Sequence, residues 1–190
     1  EMIVNVVIDP QPRLFPVPPD VIQCDSIVTN IVLQSPNIFS SGFITFNEMV
    51  SGDGSITGYP TGQVTGLPDD HTITDRLVNQ SDAYHTVVYT LVPVSPTGCA
   101  NGAPVAVSVT VNPTPRVIAL NSNAMRDSSI CYGGNTHVVL TSPTVMTSGS
   151  ILFDYNVTLT GGAAISGNTA PASNLPQGYT ISYPYQNDSD

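Results

Sequence analysis

Three aspartates in a loop-rich stretch are the side chains of this sequence that come nearest to a metal site. Asp69, Asp70 and Asp75 flank a short predicted strand, and loop carboxylates are oxygen ligands of the kind that Ca²⁺ prefers. The sequence has no D-x-[DN]-x-D-G loop, however, and Gln177-Gly178 stands at the corresponding place in the second half of the chain. The three aspartates are therefore a weak calcium candidate, and solvated acids that keep the surface soluble are the competing interpretation. No other cofactor is indicated.

The residue types used in catalysis do not occur here in catalytic patterns. The three histidines, His71, His85 and His137, form neither an H-x-H nor an H-E-x-x-H spacing, so a zinc site lacks its ligands. Serine is abundant, but the sequence has no G-x-S-x-G elbow and no Cys-His pattern. We therefore predict that the chain has no catalytic residues and is not an enzyme.

The charge balance excludes two classes of partner. The 190 residues include fourteen acids, four arginines and no lysine, which gives a net charge of −10. Nucleic-acid binding needs a positive surface, and anionic membranes repel an acidic protein. The longest apolar runs are the length of a strand and far below the roughly 20 residues of a membrane span. We therefore expect neither nucleic-acid binding nor direct membrane insertion.

The pattern of the chain predicts an all-β fold. Glycine and proline together make up 32 residues (15 and 17), and between them lie short runs rich in Val, Ile, Thr and Tyr, which is typical of short strands joined by turns. Along 105–111, valine alternates with Ala, Ser and Thr, so one face of that strand must be buried. The predicted strands are Ile3–Ile8, Ser26–Gln34, Gly42–Asn47, Ser55–Gly58, Thr72–Val78, Tyr84–Pro93, Ala103–Asn112, Arg116–Ala119, Thr136–Ser142, Ser150–Thr160 and Tyr179–Tyr185.

An internal repeat sets the domain organisation. The segment 4–13, VNVVIDPQPR, aligns with 107–116, VSVTVNPTPR, and Cys24 aligns with Cys131. Further matched pairs are 29–36 with 136–143, 41–47 with 148–154, 56–58 with 165–167, 72–73 with 180–181, and 79–82 with 187–190. The offset drifts only from 103 to 109. We therefore predict the last strand of a preceding repeat at 1–9, a first module at 10–112, and a second module at 113–190 that lacks its C-terminal strands.

The order of several motifs resembles a known family. Val87–Pro93, Gly98-Cys99, Val107–Pro115 and Ile130–Gly133 follow one another as they do in the PKD-like repeats of Bacteroidetes surface proteins. The sequence departs from that family in having no Trp on the central strand. The resemblance implies tandem immunoglobulin-like β-sandwich modules. Modules of that family occur in very large cell-surface proteins that are exported by type IX secretion, including gliding-motility adhesins. The resemblance therefore implies a scaffold or adhesion role on the cell surface.

The same resemblance suggests a pairing for the cysteines. It places Cys24, before a core strand, and Cys99, between the last two strands, as disulfide partners, and an exported chain meets oxidising conditions. Cys131 would then be unpaired, because its partner would lie beyond residue 190. Asp25-Ser26-Ile27 resembles the D-[ST]-apolar motif for O-glycosylation of Bacteroidetes periplasmic and surface proteins, which makes Ser26 a candidate glycosylation site; an ordinary turn is the alternative.

The two prolines between the copies predict a stiff junction. Pro113 and Pro115 fix their own φ angles and push the residues before them towards extended geometry, so a short polyproline-II-like linker and an end-to-end rod are expected.

Three functions are compatible with these observations. The first is a structural or adhesive segment, a stiff spacer or filament-forming stalk on the bacterial surface, whose partners are neighbouring repeats, copies of itself, surface glycans or other surface proteins. The second is a polymerising subunit in which a strand of one chain completes the sandwich of another. The third is an accessory carbohydrate-binding module of a secreted enzyme. Exposed aromatic residues in a row would favour that module, but the sequence has no Trp, and Tyr59, Tyr132, Tyr183 and Tyr185 form no obvious platform.

Overall fold

The computed structural model describes residues 2–121, 129–160 and 165–188, and the chain divides into two units. Unit 1 is Glu1–Thr114 and unit 2 is Pro115–Asp190. All of the regular secondary structure in the described residues is β-structure. Unit 1 contains β1 (Phe15–Val17), β2 (Asp20–Cys24), β3 (Ile31–Gln34), β4 (Thr45–Ser51), β5 (Ile56–Thr57), β6 (Val64–Pro68), β7 (Thr72–Ile73), β8 (Val78–Asn79), β9 (His85–Val94) and β10 (Val105–Asn112).

Unit 1 is a β-sandwich, as the sequence pattern predicts. One sheet has five strands in the order β2-β10-β9-β4-β6, and a second has three in the order β1-β3-β7. The pairs are antiparallel except for β2 and β10, which run parallel with Val109 opposite Val21. The short strands β5 and β8 pair with each other.

The core of unit 1 comes from strict alternation on the long strands. Val87, Tyr89 and Leu91 of β9 are fully buried, and Val107 and Val109 of β10 are fully buried beside them. The side chains between them are less buried, so the alternation predicted along 105–111 is confirmed. The opposite sheet and its flanks complete the cluster with Ile31, Leu33, Ile73 and Leu77. Each such side chain contributes about 1.5–3 kcal/mol when it is fully buried.

The first strand pair differs from the prediction. We predicted no strand between residues 9 and 25, whereas β1 pairs with β3 in one sheet and β2 pairs with β10 in the other. Pro18 and Pro19 separate the two strands, and their missing N–H groups interrupt the hydrogen-bonded ladder where the chain changes sheets. Two adjacent prolines are typical of a turn. Here they lie where the chain passes from the edge of the three-stranded sheet to the edge of the five-stranded sheet.

Residues 3–8, predicted to be a strand, have no strand partner within the described chain. Met2, Ile3, Val4, Val6, Val7 and Ile8 are between 72% and 89% exposed. The strand was predicted from apolar composition, but a strand also needs a neighbour with free backbone groups, and none lies beside this segment. We expect this segment to pack either at the head of the first module or against another chain. The described part of the structure shows no pairing at the first module; packing against another chain and the assignment to a preceding repeat stay predictions.

Unit 2 contains β11 (Ile118–Asn121), β12 (Val138–Thr141), β13 (Phe153–Tyr155), β14 (Ile165–Gly167), β15 (Ala172–Leu175), β16 (Thr180–Ile181) and β17 (Tyr185–Asn187). The order β11-β12-β16 repeats the order β1-β3-β7 of unit 1, and β13 pairs with β15 as β4 pairs with β6. Leu140 and Phe153 are its buried apolar residues among those described. The two units are thus built on one plan, as the sequence repeat indicates.

No helix in the described part of the chain is long and apolar enough to span a membrane.

Candidate functional site

A carboxyl group inside unit 1 is the most unusual chemical feature of the structure. Glu48 lies on β4 between the inward-facing Phe46 and the half-buried Val50, so the alternation of the strand turns it towards the core. Glu48 is only 4% exposed, and its Oε1 atom has no hydrogen-bond partner among the described residues. Buried carboxyl groups are uncommon unless they are paired, so this position needs a physical explanation.

A second carboxyl group comes from the other side of the sandwich. Asp75 follows β7, and its Oδ2 atom accepts a 2.9 Å hydrogen bond from the hydroxyl of Tyr89 on β9. Thr29 holds this aspartate in place. The Asp75 N–H donates to Thr29 Oγ1 at 2.8 Å, the Thr29 N–H donates to the Asp75 carbonyl at 2.8 Å, and Thr29 Oγ1 donates to the Ile73 carbonyl at 3.2 Å. We call Glu48, Asp75 and Tyr89 the cross-sheet cluster.

Burial dominates the acid–base behaviour of this cluster. Desolvation, together with the charge of nearby Asp75, raises the pKa of Glu48 to about 7. Desolvation also raises the pKa of Asp75, against the opposing effect of the Tyr89 hydrogen bond. The pKa of Tyr89 is raised by burial first and by the charge of Asp75 second. All three groups are therefore biased towards their protonated forms.

Unit 2 has phenols where unit 1 has carboxyls. In the repeat register, Tyr155 corresponds to Glu48 and Tyr183 to Asp75. The Tyr155 hydroxyl donates to the Tyr183 hydroxyl at 3.3 Å. Thr136, the counterpart of Thr29, accepts from the Tyr183 N–H at 3.1 Å and donates its own N–H to the Tyr183 carbonyl at 2.9 Å. The hydrogen bonds between the threonine and the main chain of the residue opposite it, which we call the threonine frame, are therefore the same in both units, whereas the side chains placed on this frame differ.

The two phenols titrate as interacting groups. The hydrogen bond with Tyr183, followed by burial, raises the pKa of Tyr155 to about 12. Hydrogen bonds from Tyr155 and Tyr179 lower the pKa of Tyr183. Phenols have an ordinary pKa of about 10, far above that of the carboxyls that they replace.

A second polar arrangement closes the end of unit 1 near the linker. The buried Asn79 donates through Nδ2 to the carbonyls of Ala83 at 2.8 Å and Val111 at 2.9 Å, and its Oδ1 accepts from Ser81. The carboxylate of Asp25 accepts from the Asn79 N–H at 2.7 Å. These contacts tie the β8–β9 turn to the end of β10. We call them the Asn79 clasp.

The clasp also reaches the linker. The second carboxylate oxygen of Asp25 accepts from the Thr114 hydroxyl at 2.9 Å. Pro113, one of the two predicted linker prolines, is buried, and Pro115 is exposed and begins unit 2. The first half of the predicted linker is therefore fixed to the body of unit 1.

The weak calcium candidate is not assembled. Asp69 Oδ1 accepts from the Ser35 N–H at 2.8 Å, and Asp70 occupies a turn at φ +62°, so both lie at the β6–β7 connection. Asp75 instead faces the Tyr89 hydroxyl in the sandwich. Strand β7 lies along the chain between Asp75 and the two aspartates of the β6–β7 connection. The described residues contain no group of three or more His, Cys, Asp or Glu side chains placed to hold a metal ion.

The disulfide that the family resemblance implied is not formed. Cys24, Cys99 and Cys131 are free and exposed. Cys24 ends β2 opposite Asn112, the last residue of β10, whereas Cys99 precedes the first residue of β10. At about 3.3 Å per residue, the length of β10 separates the two cysteines by roughly 20 Å, and a disulfide needs Cα atoms within about 7 Å. The pairing failed because the missed strand β2 carries Cys24 to the opposite end of the sandwich.

Two further predicted positions have defined surroundings. Ser26 lies in a turn at φ +62°, its N–H donates to the Leu77 carbonyl at 2.9 Å, and its own carbonyl accepts from Arg76. Its glycosylation stays a prediction. His85 Nδ1 contacts the carboxylate of Asp53 at the start of β9, so this histidine is paired on the surface and is not placed as a metal ligand.

Sequence reasoning missed the cross-sheet cluster, although a signal was present. Phe46, Glu48 and Val50 share the parity of the inward face, which places a carboxyl in a core position. The prediction of a strand ending at Asn47 left Glu48 outside the strand. Asp75 was noticed for its charge alone.

Residues 24–115 match the family model of the PKD-like domain. The PKD-like segment thus covers most of unit 1, from the end of β2 to the linker, and supports the immunoglobulin-like character of the repeat. No curated protein sequence matches the chain.

Solved structures that are similar to the chain at low identity include the following three. One is a chain of the chaperone–tip adhesin complex of CFA/I fimbriae biogenesis, at 12% identity and a TM-score of 0.38, covering 90% of this chain and 84% of that one. The human desmocollin-1 ectodomain gives 12% identity and a TM-score of 0.37, with coverage of 97% and 32%. Domains 4–9 of the surface layer protein SbsC give 12% identity and a TM-score of 0.28, and the match covers 94% of this chain and 28% of that one. Likeness at this level carries no information on function.

Proposed function

We propose that the chain is a non-catalytic structural or adhesive segment of a secreted cell-surface protein. One observation carries the proposal: the main-chain frame around Thr29 recurs around Thr136, so two units are built on one plan in tandem. The PKD-like match over residues 24–115 supports it, because the resemblance to PKD-like repeats implies scaffold and adhesion roles. A bacterial surface location, type IX secretion and a link to gliding motility rest on the sequence resemblance alone.

In this proposal each unit is a mechanical spacer. The Asn79 clasp and the Asp25–Thr114 hydrogen bond fix the C-terminal end of unit 1, so a force on the linker acts on β10 through a bonded network. The parallel pair of β2 and β10 lies in shear geometry with respect to such a force, since five residue pairs must slide together. The prolines at 113 and 115 limit bending of the chain beyond this point.

Small-angle X-ray scattering tests the stiff-spacer proposal. The wild-type chain should have a radius of gyration clearly above the ~16 Å of a single compact 190-residue domain. Replacing Pro113 and Pro115 together with glycine should broaden the distribution of interatomic distances, whereas Pro104→Gly in the exposed β9–β10 loop should not. A wild-type value near 16 Å, or equal curves for the two variants, would contradict the stiff linker.

A second function is favoured by the exposed segment at residues 2–8. Its apolar side chains have no partner in the described chain, and its sequence aligns with β10, a strand that lies between two neighbours in unit 1. Such a segment can complete a sandwich in another copy by strand addition. Light scattering at increasing concentration tests this. Concentration-dependent oligomers that Val6→Asp abolishes, and that Val117→Asp at another exposed valine does not, would support strand exchange; a monomer at every concentration would exclude it.

A further inference from the structure

We propose that Glu48 is a proton-binding site that makes unit 1 a pH-sensitive module, most stable in mild acid and progressively less stable as the pH rises to neutrality, while unit 2 lacks this response. The proposal goes beyond the structural role of the chain. It rests on the position of Glu48 inside the sandwich, on its unpartnered Oε1 atom and on the difference between the two units at this position.

The ionised form of Glu48 has no compensating charge around it. From the segment after β7 it faces Asp75, a second acid, and from β9 it faces the phenol of Tyr89. The two arginines of unit 1 are exposed, and the Nη1 of Arg76 donates to the carbonyl of Ser26. The imidazole of His85 contacts the surface carboxylate of Asp53. A carboxylate that is removed from water and placed near another acid is strongly disfavoured.

The neutral acid avoids this cost, which sets the direction of the pH effect. Glu48 changes from an ordinary pKa of 4.5 in the unfolded chain to about 7 in the folded one. Between these values the folded state binds the proton and the unfolded state does not. The stabilising contribution is therefore complete below pH 4.5 and is lost as the pH rises through 7. A difference of about 2.5 pH units corresponds to a change of up to ~300-fold in the unfolding equilibrium constant.

Unit 2 provides an internal comparison. Tyr155 and Tyr183 take the places of Glu48 and Asp75 on the same frame, and phenols do not ionise between pH 4.5 and 8. The same position in the fold is thus titratable near neutrality in one unit and inert in the other. The pH response belongs to the side chains and not to the architecture.

Two measurements on the full chain test the proposal. In the first, the side-chain carboxyl ¹³C shifts of Glu-labelled wild-type protein are followed by NMR from pH 3 to 9. The chain has only two glutamates, Glu1 and Glu48, so assignment is simple. A Glu48 midpoint above pH 6 supports the proposal, and a midpoint near the ordinary glutamate value of 4.5 overturns it. This readout requires no variant to fold.

In the second measurement, urea unfolding of unit 1 is compared at pH 5 and pH 8 in the wild type and in Glu48→Gln, with backbone amide signals of β9 and β10 as the probe. The wild-type unfolding constant should rise at least tenfold more between the two pH values than that of Glu48→Gln. Tyr155→Phe, at the equivalent place in unit 2, should leave the wild-type pH dependence of unit 1 unchanged. Equal pH dependence in the wild type and Glu48→Gln would overturn the proposal.

Discussion

The hydroxyl of Tyr89 donates a 2.9 Å hydrogen bond to the carboxylate of Asp75, and this bond joins the two sheets of unit 1 through its core. Tyr89 belongs to the central strand β9 of the five-stranded sheet. Asp75 follows β7 of the three-stranded sheet and is fixed there by Thr29. The apolar core is non-directional, whereas this polar contact has a defined geometry, so it specifies how one sheet is placed over the other.

Removing this hydrogen bond should destabilise unit 1 while leaving the fold intact. Tyr89→Phe deletes the donor and leaves the half-buried Asp75 carboxyl without it, at a cost of about 1–3 kcal/mol for an unsatisfied polar group. The pKa of Asp75 should rise further, because the Tyr89 bond opposes its upward shift. Urea unfolding at pH 8 checks the stability. Tyr132→Phe, at an exposed tyrosine, is the control; a loss no larger than that of the control would contradict the role of Tyr89.

The Asn79 clasp should contribute measurably to the stability of unit 1. Asn79→Ala removes the side-chain donor of the Val111 carbonyl and leaves the Ala83 carbonyl with the Ser81 hydroxyl alone. An unsatisfied buried group costs about 1–3 kcal/mol, so we expect a loss in that range. Gln80→Ala changes the exposed neighbour and should cost less than 0.5 kcal/mol, within the usual range for surface substitutions. Thermal unfolding by circular dichroism compares the two variants, and equal melting temperatures would show that the clasp is not a stabilising element.

Alanine substitutions at two glycines should distinguish the cost of backbone strain from the cost of a steric clash. Gly58 and Gly54 both have positive φ angles, +97° and +86°. A Cβ at Gly58 would lie 1.9 Å from the Arg76 carbonyl oxygen, whereas a Cβ at Gly54 would meet no atom within 4 Å. Gly54→Ala should cost roughly 1–2 kcal/mol through its φ angle alone. Gly58→Ala should cost several kcal/mol more, because the β5–β8 pair must move apart. Similar losses of unfolding free energy in the two variants would contradict this close approach.

The cysteines should behave as three separate thiols. Because Cys24, Cys99 and Cys131 are exposed and free, the native chain should react with three equivalents of a thiol reagent without denaturant. Mass spectrometry after alkylation under native conditions counts the labels. A mass two units below that of the reduced chain, with only one label, would show a disulfide and would restore the pairing that the family resemblance implied.

The sequence predicts the architecture better than it predicts the contacts across it. The alternation of β9 and β10 and the repeat register correctly indicate an all-β sandwich in two similar units. Residues 3–8 are apolar and belong to the segment that aligns with β10, but pairing depends on a neighbour that composition does not reveal. The sequence around Pro18 and Pro19 does not show that the chain changes sheets between β1 and β2. That change determines which end of the sandwich carries Cys24.

The cross-sheet cluster shows the same limit at the level of single side chains. Glu48 and Asp75 are 27 positions apart, and Asp75 and Tyr89 are 14 apart. Only the sandwich brings them together. The equivalent places in unit 2 hold two tyrosines, so even the repeat alignment does not mark the position as ionisable. The frame is repeated, but the chemistry placed on it is specific to each unit.

Single-molecule force spectroscopy tests the central claim, that this chain is a mechanically resistant tandem of β-sandwich units. The chain is pulled from its two ends, and the increase in contour length is measured at each force peak. The account predicts a discrete peak for the first module: its 103 residues, from 10 to 112, extend by about 35 nm less the folded length. Extension of those residues without a resolvable peak would contradict a structural role.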